Sequence, residues 1–216
     1  KHQIPKLEKI VISSGLGSLI TLNFCIISNN KGENGAAVSG ISGGSFVLNS
    51  CELYNNTAFN QGSALYISGG GSAAFNSCTL RGNKAEIPSG KTYSGATVYV
   101  SSGSSIIIND CTLTRNAAAN QGGAIYVASG GSATVISSTV EYNGITSESG
   151  SGKAFYLEDS ATIINIINPK IGSQSDAISR DSTKLVKCDA LNGITAACAS
   201  PNAKTCTEAV SPLLGI

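Results

Sequence analysis

Residues 61–83, QGSALYISGGGSAAFNSCTLRGN, and residues 121–143, QGGAIYVASGGSATVISSTVEYN, are identical at 11 of 23 positions without a gap. This self-similarity constrains the fold more than any other feature. Short runs of apolar and β-branched residues, separated by Gly, Ser and Asn, cannot bury their own apolar side and must stack on their neighbours. The expected product is a solenoid.

Aligning the chain on its apolar residues extends the repeat in both directions, with the period of two that strands require. One column reads Val38, Leu65, Val98, Ile125, Phe155 and Ile178, and a second reads Leu22, Leu48, Phe75, Ile108 and Val135. Two residues before the second stand Ile20, Phe46, Ala73, Ile106 and Ala133; a third strand supplies Ile27, Leu53, Leu80, Leu113 and Val140. These columns predict three short parallel sheets around a dry interior. Three residues after each member of the third column comes an Asn: Asn30, Asn56, Asn83, Asn116 and Asn143. A side-chain amide both donates and accepts, so stacked Asn residues are expected to satisfy one another and the turn backbone.

Between the second and third strands lies the column Cys25, Cys51, Cys78, Cys111 and Ser138, with steps of 26, 27, 33 and 27 residues. The long step places an insertion at Lys84 to Ser94, expected to bulge from a corner. Neighbouring strands lie about 4.8 Å apart, so successive cysteines come near disulfide distance. The other reading is an internal column of small buried thiols filling a turn, with Ser138 showing that no bond is needed there.

The chain divides into an entry segment (1–9), a solenoid (10–193) and a C-terminal cap (194–216), where Ser200-Pro201 fits the start of a short helix. The fold class expected is all-β: a parallel β-helix of about six to seven coils with a small C-terminal cap. In this alignment Leu185 and Cys188 continue the Leu22 and Cys25 columns. Cys198 and Cys206 are the best disulfide candidates, with Cys188 as a competing partner.

The repeats GGAI at Gly122 to Ile125, and LxxN at Leu53 to Asn56, Leu80 to Asn83 and Leu113 to Asn116, resemble the GGA(I/L/V) and FxxN repeats of polymorphic outer membrane proteins. More broadly the chain resembles the right-handed parallel β-helix of the pectin-lyase-like superfamily. The resemblance implies the fold and a secreted or surface setting, and carries over no catalytic residue.

Charge narrows the partners. With 14 Lys+Arg against 13 Asp+Glu, and 12% of residues charged, the chain has no basic field to hold nucleic acid. No apolar run approaches the roughly 18 residues of a membrane helix, so membrane insertion of this segment is not expected. Lys1 opens the chain without a Met or a signal pattern, which reads as a mature or trimmed segment.

Catalytic sets are sought and not found. A glycosidase needs a facing carboxyl pair. The outward positions of the first sheet are instead expected to be Ala64, Thr97, Ala124 and Ala154, then Tyr66, Tyr99, Tyr126 and Tyr156. Glu158 and Asp159 are adjacent on a strand and point to opposite faces. The lone His2 is terminal and has no Ser and Asp partners, and no Cys or His group has metal-ligand spacing. No enzyme activity, metal or cofactor is expected.

Two contact features remain. The tyrosine column offers an aromatic strip suited to sugar rings or a protein surface, or else rings that simply stack on one another. Asn55-Asn56-Thr57 is a glycosylation sequon on a corner. Ice binding is set aside because it needs threonine ladders and the threonines do not line up. The expected function is a non-catalytic extracellular or cell-surface structural unit that self-associates into a fibre or filament. A glycan-binding or host-binding adhesin using the Tyr strip is the alternative, and an atypical polysaccharide lyase the third.

Overall fold

The computed structural model describes residues 15–88, 94–146 and 154–158 in full. By backbone alone it describes the strands Lys6–Glu8, Ile12–Ser14, Ile163–Ile167, Lys170–Ile171, Ile178–Arg180, Val186–Asp189 and Thr205–Cys206. Among these residues the only regular structure is β.

One coil shows the plan. Val38–Gly40 lies in a first sheet, Ser45–Asn49 in a second, Glu52–Tyr54 in a third and Thr57–Gln61 in a fourth; Leu65–Ile67 then returns to the first, beside Val38–Gly40. From there to Gly144–Ile145 each successive coil adds one parallel strand to each sheet. The apolar columns pair as the sequence spacing predicts. Leu65 lies beside Val38 and Val98, Phe75 beside Leu48 and Ile108, and Leu80 beside Leu53 and Leu113. Their side chains fill one continuous core in which Phe46, Phe75 and Phe155 are fully buried. Burying each such side chain is worth about 1.5–3 kcal/mol, and no single coil could gather enough of them alone.

The fourth sheet was not expected. Its strands are Lys31–Asn34, Thr57–Gln61, Lys84–Ala85, Ala117–Ala118 and Gly144–Ile145. The buried members Ala58, Ala85 and Ala118 are small and stand singly, which leaves no alternating apolar signal to read. Lys84–Ala85 therefore belongs to the sheet, and the predicted bulge starts only after it. Glu86 still donates its N–H to Ala58 at 2.7 Å.

Other details differ too. Five coils are described as complete rather than six to seven, with further strands extending the sheets at both ends. Lys6–Glu8, read as entry segment, pairs with Ile26–Ser28. Cys188 pairs with Ile166 and so continues the Leu22 column, not the Cys25 column, because the register of that last coil lies three residues from the one expected. Thr205–Cys206, within the expected cap, runs antiparallel to Ile178–Ser179. Leu185, Asp159, Cys198, His2 and the expected short helix after Ser200 lie outside the described residues.

The corners carry the positive-φ residues. Between the second and third sheets these are Phe24, Ser50, Ser77, Asp110 and Ser137; between the third and fourth they are Asn29, Asn55, Gly82, Arg115 and Tyr142, with φ from 54° to 62°. A left-handed residue bends the chain from one sheet to the next, and the residue that follows it, a Cys, Ser or Asn, is buried.

Candidate functional site

Four features could carry function, and each is a column running along the solenoid axis. The parallel register places Tyr66, Tyr99, Tyr126 and Tyr156 in successive strands of the first sheet. Their rings stack with centroids 5.3, 5.0 and 5.1 Å apart and planes within 13° of parallel. Tyr126 and Tyr156 are only 3% and 4% exposed, whereas Tyr66 and Tyr99 are half-buried. Burial, together with the nearby Glu158 carboxylate, pushes the Tyr99 phenol up to about 12. Tyr126 is raised further, burial again being the largest cause. The small residues expected to face outward beside them, Ala64, Thr97, Ala124 and Ala154, are fully buried where the chain turns into the sheet. Thr97 Oγ1 donates to the Gly123 carbonyl at 2.9 Å.

The thiol column is unoxidised: Cys25, Cys51, Cys78 and Cys111 are free and buried. Each sulfur from Cys51 onward accepts the backbone N–H of the preceding coil's cysteine, at 3.4, 3.4 and 3.2 Å. Each also donates to a carbonyl two residues earlier, as Cys78 does to Asn76 at 3.3 Å. The hydrogen bond from Cys111, with burial, pushes the Cys78 thiol up to about 11. Cys25 and Cys51 are raised as well, whereas Cys111, hydrogen-bonded to Cys78, is lowered.

The Asn column forms the expected ladder. Asn30, Asn56, Asn83 and Asn116 each donate Nδ2–H to the next Oδ1 at 2.9–3.1 Å. The same oxygens accept the backbone N–H of the preceding Asn. From Asn56 to Asn143 the second amide proton goes to a carbonyl of the coil before. An outer Asn ladder, Asn23, Asn49 and Asn76, runs along the second sheet with the opposite donor direction.

The fourth feature was missed from sequence. Asn55, Arg81, Gly82, Thr114, Arg115, Glu141 and Tyr142 line a shallow groove of about 440 Å³ on the corner between the third and fourth sheets. Two adjacent columns build it. Tyr54, Arg81, Thr114 and Glu141 are register partners on the third sheet, and Asn55, Gly82, Arg115 and Tyr142 are the left-handed corner residues beside them. The Arg81 guanidinium lies 4.3 Å over the Tyr54 ring and 4.0 Å from the Glu52 carboxylate. Tyr142 is 70% exposed, and Arg115 is exposed with no carboxylate partner among the described residues. The left-handed conformation costs a residue with a Cβ about 1–2 kcal/mol. The readable signal was position: each of these residues immediately precedes the Asn column. Asn55, the sequon residue, is exposed at the head of this groove while Asn56 is buried.

Thr79, Thr112 and Thr139 do line up, as register partners on the third sheet, contrary to the expectation that no threonine ladder exists. The column escaped notice because Glu52 and Ile26 interrupt it in the earlier coils. It is three residues long and one strand position wide. Glu158 folds back on the coil before it, its Oε2 accepting the Ser129 N–H at 3.1 Å.

Ladders that tie each coil to the next define the class, a parallel β-solenoid. Residues 10–190 match the family model described as a right handed beta helix region, and the chain belongs to that family. No match is found among curated proteins or among solved structures.

Proposed function

We propose that this chain is a non-catalytic structural solenoid, working as a rigid segment or subunit of an extracellular or cell-surface fibre. One observation carries the reading: the tyrosine, thiol and Asn columns are spent between coils. Tyr126 is sandwiched between Tyr99 and Tyr156, the Cys78 thiol is bonded twice to the backbone of the coil before it, and Asn83 joins the coil before it to the coil after it. A fibre needs just such axial cohesion, since load along it must be shared by every coil. The low charge of 12% leaves little repulsion between copies.

The tyrosine face supports an adhesin less well, because two of its four rings are covered. A lyase has no support from the first sheet, whose outward column is phenolic. On the proposed reading Cys198 and Cys206 are the pair that an oxidising setting would join.

Sedimentation and electron microscopy across a wide concentration range test the proposal. Filaments or axial oligomers that lengthen with concentration are expected. A species that stays strictly monomeric at high concentration would overturn the fibre reading.

A further inference from the structure

We infer that the groove over Gly82 is a binding site for an anionic saccharide, whose charged group is held by Arg81 and Arg115 and whose ring rests on Tyr142. The starting point is a comparison between coils. The corner before the Asn ladder demands a left-handed residue in every coil. Asn29, Asn55 and Gly82 meet that demand with the residue types that tolerate it. Arg115 and Tyr142 do not, and both are exposed, so neither is there to fill the core. These two unfavourable choices stand in adjacent coils and line one groove.

The groove is prepared for a ligand. Gly82 has no side chain, so the floor of the groove is open beside the Asn55 Oδ1, which stands 2.7 Å from where a Cβ would lie. Arg81 is held flat by the Tyr54 ring, which leaves less orientation to be lost on binding. Arg115 has no competing carboxylate among the described residues.

The lining selects the ligand. Guanidinium forks favour planar or tetrahedral oxyanions. An exposed phenol ring offers an apolar face to the C–H side of a pyranose. Asn55, Thr114 and Glu141 add donors and acceptors that match hydroxyl groups. A bare inorganic anion would use the two arginines but would leave Tyr142 idle. An extended peptide would seek unpaired backbone, whereas the backbone here is already paired: Asn55 N–H to Arg81, Gly82 N–H to Thr114 and Arg115 N–H to Glu141, at 3.2 to 3.4 Å. The lining residues come from four successive coils, so the groove runs roughly 14 Å along the axis at the usual strand spacing. That suits a few linked sugars.

Calorimetric titration of the unglycosylated chain tests this, because a glycan on Asn55 would compete for the groove. The probes are a sulfated, a carboxylated and a neutral oligosaccharide of equal length, and inorganic sulfate. At least one charged oligosaccharide should bind, with affinity that falls as salt is added. Arg115→Asn and Tyr142→Asn should each weaken it tenfold or more. Both variants restore a residue that the corner favours, so the thermal midpoint should hold or rise, and loss of binding cannot be put down to misfolding. Whether sulfated or carboxylated sugar binds tighter identifies the anion. Failure of both charged probes, equal binding of the neutral one, inorganic sulfate binding as tightly as the oligosaccharide, or variants that bind like the parent would each overturn the inference. None of these outcomes bears on filament formation.

Discussion

The backbone N–H of Cys111 donates to Ser138 Oγ at 3.0 Å, just as the N–H of Cys78 donates to Cys111 Sγ at 3.2 Å. Ser138 Oγ in turn donates to the Ile136 carbonyl at 2.7 Å, the counterpart of the Cys111 contact to Asn109 at 3.1 Å. Hydroxyl and thiol therefore do the same work in this turn. Replacing Cys78 by Ser should leave stability within about 1 kcal/mol, since both bonds are kept. Cys78→Ala strands the buried N–H of Cys51, and should cost about 1–3 kcal/mol. Urea unfolding of the two variants measures the difference. Equal destabilisation would mean that sulfur volume, not hydrogen bonding, fills the turn.

Asn83 is the centre of the inner ladder. Its amide donates to the Leu53 carbonyl and to Asn116 Oδ1, and its oxygen accepts from both the N–H and the Nδ2–H of Asn56. Asn83→Ala leaves buried groups on two neighbouring coils unpaired, with a loss on the order of 3–5 kcal/mol. Asn30, at the described start of the ladder, has a buried Oδ1 without a partner among the described residues, so Asn30→Ala gives up fewer bonds and should cost less. Thermal melts of both variants, and hydrogen exchange at the Asn56 amide, check the ordering.

The large apolar columns and the Asn and Cys ladders were legible in the sequence because each rests on one residue type recurring at a fixed place. The fourth sheet was not, since Ala58, Ala85 and Ala118 are too small to signal burial. The tyrosines were placed on the right face, but the covering of Tyr126 and Tyr156 depends on how successive coils pack, which spacing alone does not give. The groove was illegible for another reason. Arg115 and Tyr142 look like ordinary polar turn residues until the corner is known to require φ near 55°.

Glycine is required at Gly122, the second residue of the repeat that identifies the coil. Its φ is 65°, and a Cβ would stand 2.8 Å from the Ile125 carbonyl oxygen. Neither can be relieved by a side-chain shift, because the clash is with backbone. Gly122→Ala should cost about 2–4 kcal/mol, combining left-handed strain with displacement of the first-sheet strand. Gly103, at another corner, has a φ of 70° but open space around its Cβ position. Gly103→Ala should therefore show only the conformational cost, about 1 kcal/mol. Denaturant midpoints with unchanged slopes separate the two contributions.

The tyrosine stack makes the fold sensitive to alkali. Tyr99 titrates near 12 and Tyr126 higher still, against an ordinary value of 10, because burial and the Glu158 carboxylate disfavour phenolate. A raised folded value means that the folded state holds its phenolic proton where the unfolded chain has lost it. The stabilisation is thus complete below pH 10 and declines as pH rises from 10 toward 12 and beyond. Tyr126→Phe removes one titrating group while keeping a ring between Tyr99 and Tyr156, so its stability should fall less steeply over that range. At neutral pH it should be weaker by about 1 kcal/mol, because the hydroxyl's contacts with Ser94 and Glu158 are gone. Ultraviolet titration of the phenols beside denaturant unfolding from pH 8 to pH 12 tests the linkage. Parallel curves for the parent and Tyr126→Phe would show that the loss at high pH arises elsewhere, with the thiol column the next place to look.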